Sequence, residues 1–99
     1  MYFITGFTKY NTQTVTGIPD IGHARTFGYY ETKDDAVEAV LGNYCDIFEC
    51  CYTYAVVEYI EPGLYNLATE KWFFKWNDEK CQYEPIEPFV DCWGNYAFG

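Results

Sequence analysis

The sequence predicts an α+β domain: a mainly antiparallel sheet of about five strands with one helix packed on a face, in the order β-β-α-β-β-β. Three observations lead there. Short β-branched and aromatic runs recur along the chain between clusters of Gly, Pro, Asn and Asp. One segment, residues 31–44 (ETKDDAVEAVLGNY), spaces its apolar residues as a helix does. The 99 residues suit one hydrophobic core, and their 8 Phe, 3 Trp and 11 Tyr are far too many for a disordered acidic chain. The whole chain, 1–99, is therefore read as a single domain.

Residues 2–8 (YFITGFT) read as the first strand, and the polar, Thr-rich stretch 9–24 as a long loop. Residues 25–31 (RTFGYYE) form the second strand, with Gly28 marking a bulge or a close contact. Thr32 then supplies an N-cap, and Asp35 stands three residues on, a variant of the capping box. Ala36, Val37, Val40, Leu41 and Tyr44 fall on one helical face, and Asp34, Asp35, Glu38 and Gly42 on the other. Gly42-Asn43 ends or bends the helix. Residues 44–52 (YCDIFECCY) read as a short second helical turn or a tight connection.

Residues 53–61 (TYAVVEYIE) are apolar on both faces, which places them centrally in the sheet. Pro62-Gly63 suits a type II turn. Residues 70–76 and 81–87 form a hairpin around 77–80 (NDEK), and Pro85 and Pro88 put the last strand at an edge. The tail 89–99 (FVDCWGNYAFG) is too aromatic to be left loose. It is expected to pack on the sheet or on a second copy of the chain, as a homodimer.

Charge narrows the function. Fifteen acids against six bases give −9, with a single arginine, Arg25. Such a field repels phosphate, so direct nucleic-acid binding is not expected, nor is binding to anionic membranes. It attracts a basic protein surface, although acidic charge also keeps an aromatic-rich protein dissolved. The start (MYFITGFT) lacks the pattern of a signal peptide, and no apolar run reaches membrane-spanning length. The expected compartment is the cytoplasm.

The motifs of chemistry are missing. Five cysteines (Cys45, Cys50, Cys51, Cys81, Cys92) are an odd number, which fits reduced thiols rather than a disulfide framework. Cys45 and Cys50 have zinc-knuckle spacing without a second knuckle, so no metal is expected, and the thiols read as small buried residues in an aromatic core. No nucleophile elbow, Walker loop, dinucleotide fingerprint or zincin helix is present. The expectation is a non-enzymatic protein without a cofactor.

Two binding readings remain. In the first, Asp34, Asp35 and Glu38 supply charge to a basic partner, and Tyr29, Tyr30 and Trp76 anchor the contact. The positive end of the helix explains Asp34 and Asp35. It does not explain Glu38, which repels Asp34 at i, i+4. If the segment after Gly42 runs on in the helix direction, Glu31, Asp34, Asp35, Glu38, Asp46 and Glu49 make one strip with the charge of a nucleic-acid backbone. In the second reading, the loop 17–25 (GIPDIGHAR) holds a small ligand or nucleotide through His23 and Arg25. The competing structural role for Arg25 is to pair with a neighbouring acid.

Over residues 23–99, the pattern RTFGYYETKDDAVEAV, CDIFECCYTYAVVEYIEPGLY, KWFFKWNDEKCQYEPIE and NYAFG resembles a group of small acidic proteins of Gram-positive gut bacteria and their phages and mobile elements. The resemblance implies a small cytoplasmic protein, with phage carriage among its origins. It brings no assigned activity and no functional residues with it. By analogy, short acidic proteins in such settings include inhibitors of host-defence nucleases, anti-CRISPR proteins among them.

Overall fold

The computed structural model describes residues 1–8, 22–64, 66–87 and 96–97. The expectations for the loop 9–21, Pro88, Cys92 and most of the aromatic tail lie outside these residues. Five strands, β1 (Tyr2–Phe7), β2 (Ala24–Tyr30), β3 (Tyr54–Tyr59), β4 (Glu70–Asn77) and β5 (Gln82–Ile86), form one antiparallel sheet in the order β2-β1-β3-β4-β5. Helix α1 (Lys33–Leu41) lies between β2 and β3 in the chain. The α+β class and the central place of the 53–61 strand are as the sequence predicts.

Because β-strand side chains alternate, β3 serves two cores at once. Ala55 and Val57 face α1 together with Ile4, Phe74 and Tyr83. Val56 faces the other way, with Phe7, Phe73 and Tyr96. Both sides of β3 are closed to water.

The helix turns a different face inward from the one its larger residues define. Ala36, Ala39 and Val40 are buried, while Leu41 and Tyr44 are 40% and 46% exposed. Two alanines let the helix sit close to the sheet, so the contact stripe runs i, i+3, i+4 from Ala36. Thr32 Oγ1 accepts from the Asp35 N–H at 3.2 Å, which makes Thr32 the N-cap. The C-terminal end closes with the Gly42 N–H donating to the Glu38 carbonyl.

Beyond Gly42 the chain leaves the helix axis. A single 3₁₀ turn at Tyr44–Asp46 contains and is flanked by left-handed residues: Asn43, Cys45, Asp46, Glu49 and Cys50 all have φ between 48° and 60°. Such conformations cost non-glycine residues roughly 1 kcal/mol or more each. The aromatic stack beneath offsets part of that. Phe48 lies flat on Trp76 (centroids 4.1 Å apart, 6° between planes), and Tyr83 meets Trp76 edge-on at 5.1 Å. With rings and Ile47 filling the inside of this loop, its cysteines point out. Cys45, Cys50, Cys51 and the hairpin residue Cys81 are all exposed, so the expected buried thiols are not found among the described residues.

A bulge sets the course of β2. Ile4 pairs with Gly28 and Thr5 with Thr26, which leaves Phe27 as the extra residue. Gly28 takes φ +156°, where an L side chain is strained. Phe27 and Tyr52 fold over Gly6, at which an added Cβ would lie 2.9 Å from the Phe27 ring. The β4–β5 turn spans 78–81, one residue later than predicted. It is tied by Asn77 Oδ1, which accepts from the N–H groups of Glu79 and Lys80.

The second sheet face is closed by an unusual contact. Glu58 is fully buried in β3. Its Oε2 accepts from the Tyr96 N–H at 2.9 Å, and its Oε1 from the Ala97 N–H at 2.6 Å. Lys71 Nζ stands 3.7 Å from Oε2, and Tyr96 stacks on Phe7 and meets Phe73 edge-on. At these two residues, the tail packs on the sheet.

Glu58→Ala removes one acceptor from two buried N–H groups and the counter-charge from Lys71. It is expected to lower unfolding free energy by about 3 kcal/mol in urea titration, with faster amide exchange at Tyr96 and Ala97. A second expectation concerns alkaline pH. Tyr83 is fully buried and donates to the Tyr52 carbonyl at 2.5 Å, and burial pushes its phenol well above the ordinary tyrosine value near 10. The unfolded chain loses this proton first, so stability falls as pH rises above about 10, by about 1.4 kcal/mol per pH unit for this group. Unfolding curves between pH 8 and 11 should show the fall, and Tyr83→Phe should make it shallower.

Candidate functional site

The exposed face of α1 is where charge and aromatic surface meet. Asp34 and Asp35 occupy the first turn, and Glu38 follows one turn on. All three are exposed. Gly42 has no side chain, and the Tyr44 ring folds back over it: an added Cβ there would lie 2.6 Å from that ring. This return places the Tyr44 ring beside Glu38, with which it lines one depression. The Glu38 charge holds the Tyr44 phenol above its usual value, with burial acting in the same direction and Tyr30 and Asp35 adding to it.

Tyr44 divides two depressions. A shallow one of about 570 Å³ is lined by Lys33, Asp34, Val37, Glu38, Leu41, Gly42 and Tyr44. The other, of about 340 Å³, lies between the β2 edge and the start of the 43–51 loop, with Gly28, Tyr29, Tyr30, Tyr44, Cys45 and Ile47 among its walls. Tyr29 is 57% exposed and Tyr30 36%. Asp34, Glu38 and Tyr30 thus line depressions that the Tyr44 ring shares, with Asp35 next to them on α1. The Tyr29 ring instead pairs with Phe3, 5.5 Å between centroids, on the sheet face away from α1.

Trp76 does not join them. It is partly buried beneath Phe48 and lines neither depression, so its role is to seat the 43–51 loop. The single acidic strip does not form either, because the chain turns away after Gly42. Asp46 accepts from Asn43 Nδ2 at 3.3 Å, and Glu49 is bound to Arg25. Sequence reasoning missed Tyr44 and Leu41 as surface residues. Gly42-Asn43 was the available signal, since a chain that reverses there cannot keep Tyr44 on the buried face.

Arg25 takes the structural role. Its Nη1 lies 3.0 Å and 3.4 Å from the two Glu49 carboxylate oxygens, and its guanidinium sits over the Phe27 ring at 5.3 Å. This exposed pair contributes at most about 1 kcal/mol, yet it occupies the guanidinium. His23 packs its ring near Tyr52, 5.9 Å between centroids. Residues 17–21 of the proposed ligand loop lie outside the described residues.

The same accounting covers the other described basic residues. Lys33 sits over Trp72, Lys71 beside Glu58 and Tyr96, Lys75 over Tyr54, and Lys80 3.1 Å from Glu84. Lys80, followed by Asn77, holds the Glu84 carboxyl below its ordinary range. Asp34, Asp35 and Glu38 have no cationic partner among the described residues. The described residues hold no group of three or more His, Cys, Asp or Glu placed to bind a metal, and among them no helix is long and apolar enough to cross a membrane.

No protein-family model, curated protein or solved structure matches the chain.

If Glu38 governs Tyr44, Glu38→Gln should bring the Tyr44 phenol down toward the ordinary tyrosine value. A ring-carbon NMR titration of Tyr44 in both proteins reads this directly, and an unchanged midpoint would show the coupling to be absent.

Proposed function

We propose that this protein is a non-enzymatic binding module that docks the acidic, tyrosine-bordered face of α1 onto a basic surface of another protein. One observation carries the reading. Each described cationic side chain is engaged with a ring or another acid, including Lys33 of α1, which lies over Trp72, while Asp34, Asp35 and Glu38 face solvent without a cationic partner among the described residues. Uncompensated charge of one sign on one face raises the encounter rate with a partner of opposite sign and sets its orientation. Tyr30 and Tyr44 supply the amphipathic rings that interfaces favour. Glu38 supports the reading further, because neither helix capping nor an ion pair accounts for it.

The resemblance noted from the sequence extends the proposal to a nucleic-acid-handling target such as a host-defence nuclease, met in the cytoplasm. The net charge of −9 suits such a target, since nucleic-acid enzymes present basic surfaces. Arg25 argues for this reading over a small-ligand sponge, because its guanidinium is already held by Glu49 and Phe27.

The test is capture from a host lysate on the immobilised protein, followed by stepwise salt elution. A basic partner should be released as salt rises from about 0.1 M to about 0.5 M, where screening shortens to a few ångströms. Asp34→Lys, Asp35→Lys and Glu38→Lys together should reduce capture at least about tenfold, and Arg25→Ala should leave it unchanged. Capture that ignores both salt and the triple reversal would remove the proposal.

A further inference from the structure

Resting on this binding-face reading, we infer that the partner contributes an extended, basic segment that adds as a sixth strand along the outer edge of β2 and drops a side chain into the cavity beside Gly28.

The ladder itself shows which backbone groups are on offer. Met1 and Ile60 exchange both main-chain hydrogen bonds, at 2.9 and 3.1 Å. Odd-numbered β1 residues therefore bond to β3, and even-numbered ones to β2. The Thr8 N–H donating to the His23 carbonyl at 3.0 Å agrees with that phase. Carried through the register, Tyr30, Gly28 and Arg25 turn their main-chain groups toward β1, and Tyr29 and Thr26 turn theirs outward. Among the described residues, no strand pairs with that outer edge.

The two edges of the sheet are defended unequally. β5 carries Pro85 and the Lys80–Glu84 ion pair at its approach, both of which discourage strand addition. β2 has no proline and no lysine, and it ends in two exposed tyrosines. Its bulge limits the open ladder to the Tyr29 end, which is also the end beside α1.

The cavity explains what such a strand gains. Gly28 pairs with Ile4, on the sheet face that α1 covers, and a Cβ built on it meets nothing within 4 Å. A neighbouring strand that pairs at Tyr29 places a side chain next to Gly28, where no β2 side chain stands in its way. That side chain enters the space of about 340 Å³ bounded by Tyr30, Tyr44, Cys45 and Ile47, room for a medium aliphatic or aromatic group. Main-chain bonds supply affinity in this mode, and the pocket selects the side chain. The residues two before and two after the pocket residue share its face of the strand and lie toward α1. Glu38, Asp34 and Asp35 on that helix set their charge, so the segment carries Lys or Arg two positions to either side of an apolar residue. A second copy of this chain is a poor occupant, because each copy carries −9.

The experiment uses the full chain and a pool of nine-residue synthetic peptides in which a central Val, Leu, Ile or Phe is flanked by Lys or Arg two residues away on each side. A matched pool carries Glu at the charged positions. The basic pool should bind and the acidic pool should not. Binding should slow amide exchange at Tyr29 and Thr26 by about tenfold or more, as new main-chain hydrogen bonds do. Tyr29→Pro, which deletes the outward N–H, should weaken binding about tenfold relative to Tyr29→Ala, which keeps it. Circular dichroism of both variants shows whether β2 is intact, and the exchange result on the unmodified protein stands without them. Basic peptides that bind in an Asp34-dependent way without slowing Tyr29 would overturn strand addition and leave the acidic face standing. No binding of the basic pool, with no salt-sensitive capture from lysate, would overturn both. Concentration-dependent protection of Tyr29 in the protein alone would assign the edge to a second copy and overturn the basic-segment proposal.

Discussion

The fold depends on a carboxylate in its centre. Glu58 stands in the middle strand among Val56, Thr5 and Phe73, where an unpaired charge would be prohibitive. It is tolerated because two backbone N–H groups and an ammonium converge on it. The converse also holds, since those amides sit where water cannot reach them and need that acceptor. The central strand thereby fixes the position of a segment 39 residues further along the chain. With Tyr96 in place the apolar stripe of Phe7, Val56 and Phe73 is covered, and α1 is left to cover only the opposite side.

Covering both faces leaves little uncommitted surface, and it also decides where charge collects. The lysines of β4 and α1 are engaged by the same aromatic richness that builds the cores. Lys71 lies over Tyr96 and Lys75 over Tyr54, while Lys33 of α1 lies over Trp72. Cation–π contacts of this kind contribute about 0.5–2 kcal/mol. They hold these ammonium groups over rings, and among the described residues none pairs with Asp34, Asp35 or Glu38. The field on the α1 face follows from this internal use of cations as much as from the number of acids.

The sheet was legible because each strand carries its own signal. Residues 53–61 are apolar at the buried positions of both faces apart from Glu58, and the hairpin is punctuated by Asn77 and Asp78. The helix start was legible through Thr32. The inward face of the helix was not, because hydrophobic patterning gives Leu41 and Tyr44 more weight than Ala39, whereas close packing gives the small residue the advantage. The 43–51 loop was illegible for a different reason. Five non-glycine residues there adopt left-handed conformations that local preference opposes, and only the tertiary seat of Phe48 on Trp76 explains them. The site was half legible: the acids and Tyr30 could be named, but Tyr29 turns its ring to the other sheet face against Phe3, and Tyr44, the ring beside Glu38, reads as core in the sequence. Trp76 shows the reverse error, an aromatic read as an anchor for a partner and used as one for the chain itself.

The strand order has a consequence for how the chain reaches this state. β1 comes first in the sequence yet lies between β2 and β3, and its contact with Ile60 spans 59 residues. Neither neighbour can complete the sheet without it, and the larger of the two loops must close before the middle of the sheet gains its hydrogen bonds. Helix α1 and the β4–β5 hairpin are local and can form within microseconds, whereas the β1–β3 seam waits on the search of a long loop. Until that seam closes, β3 presents two apolar faces and an open edge, and the buried carboxylate of Glu58 is still in water. The slow step of folding and the moment of greatest aggregation risk therefore fall at the same place, the centre of the sheet.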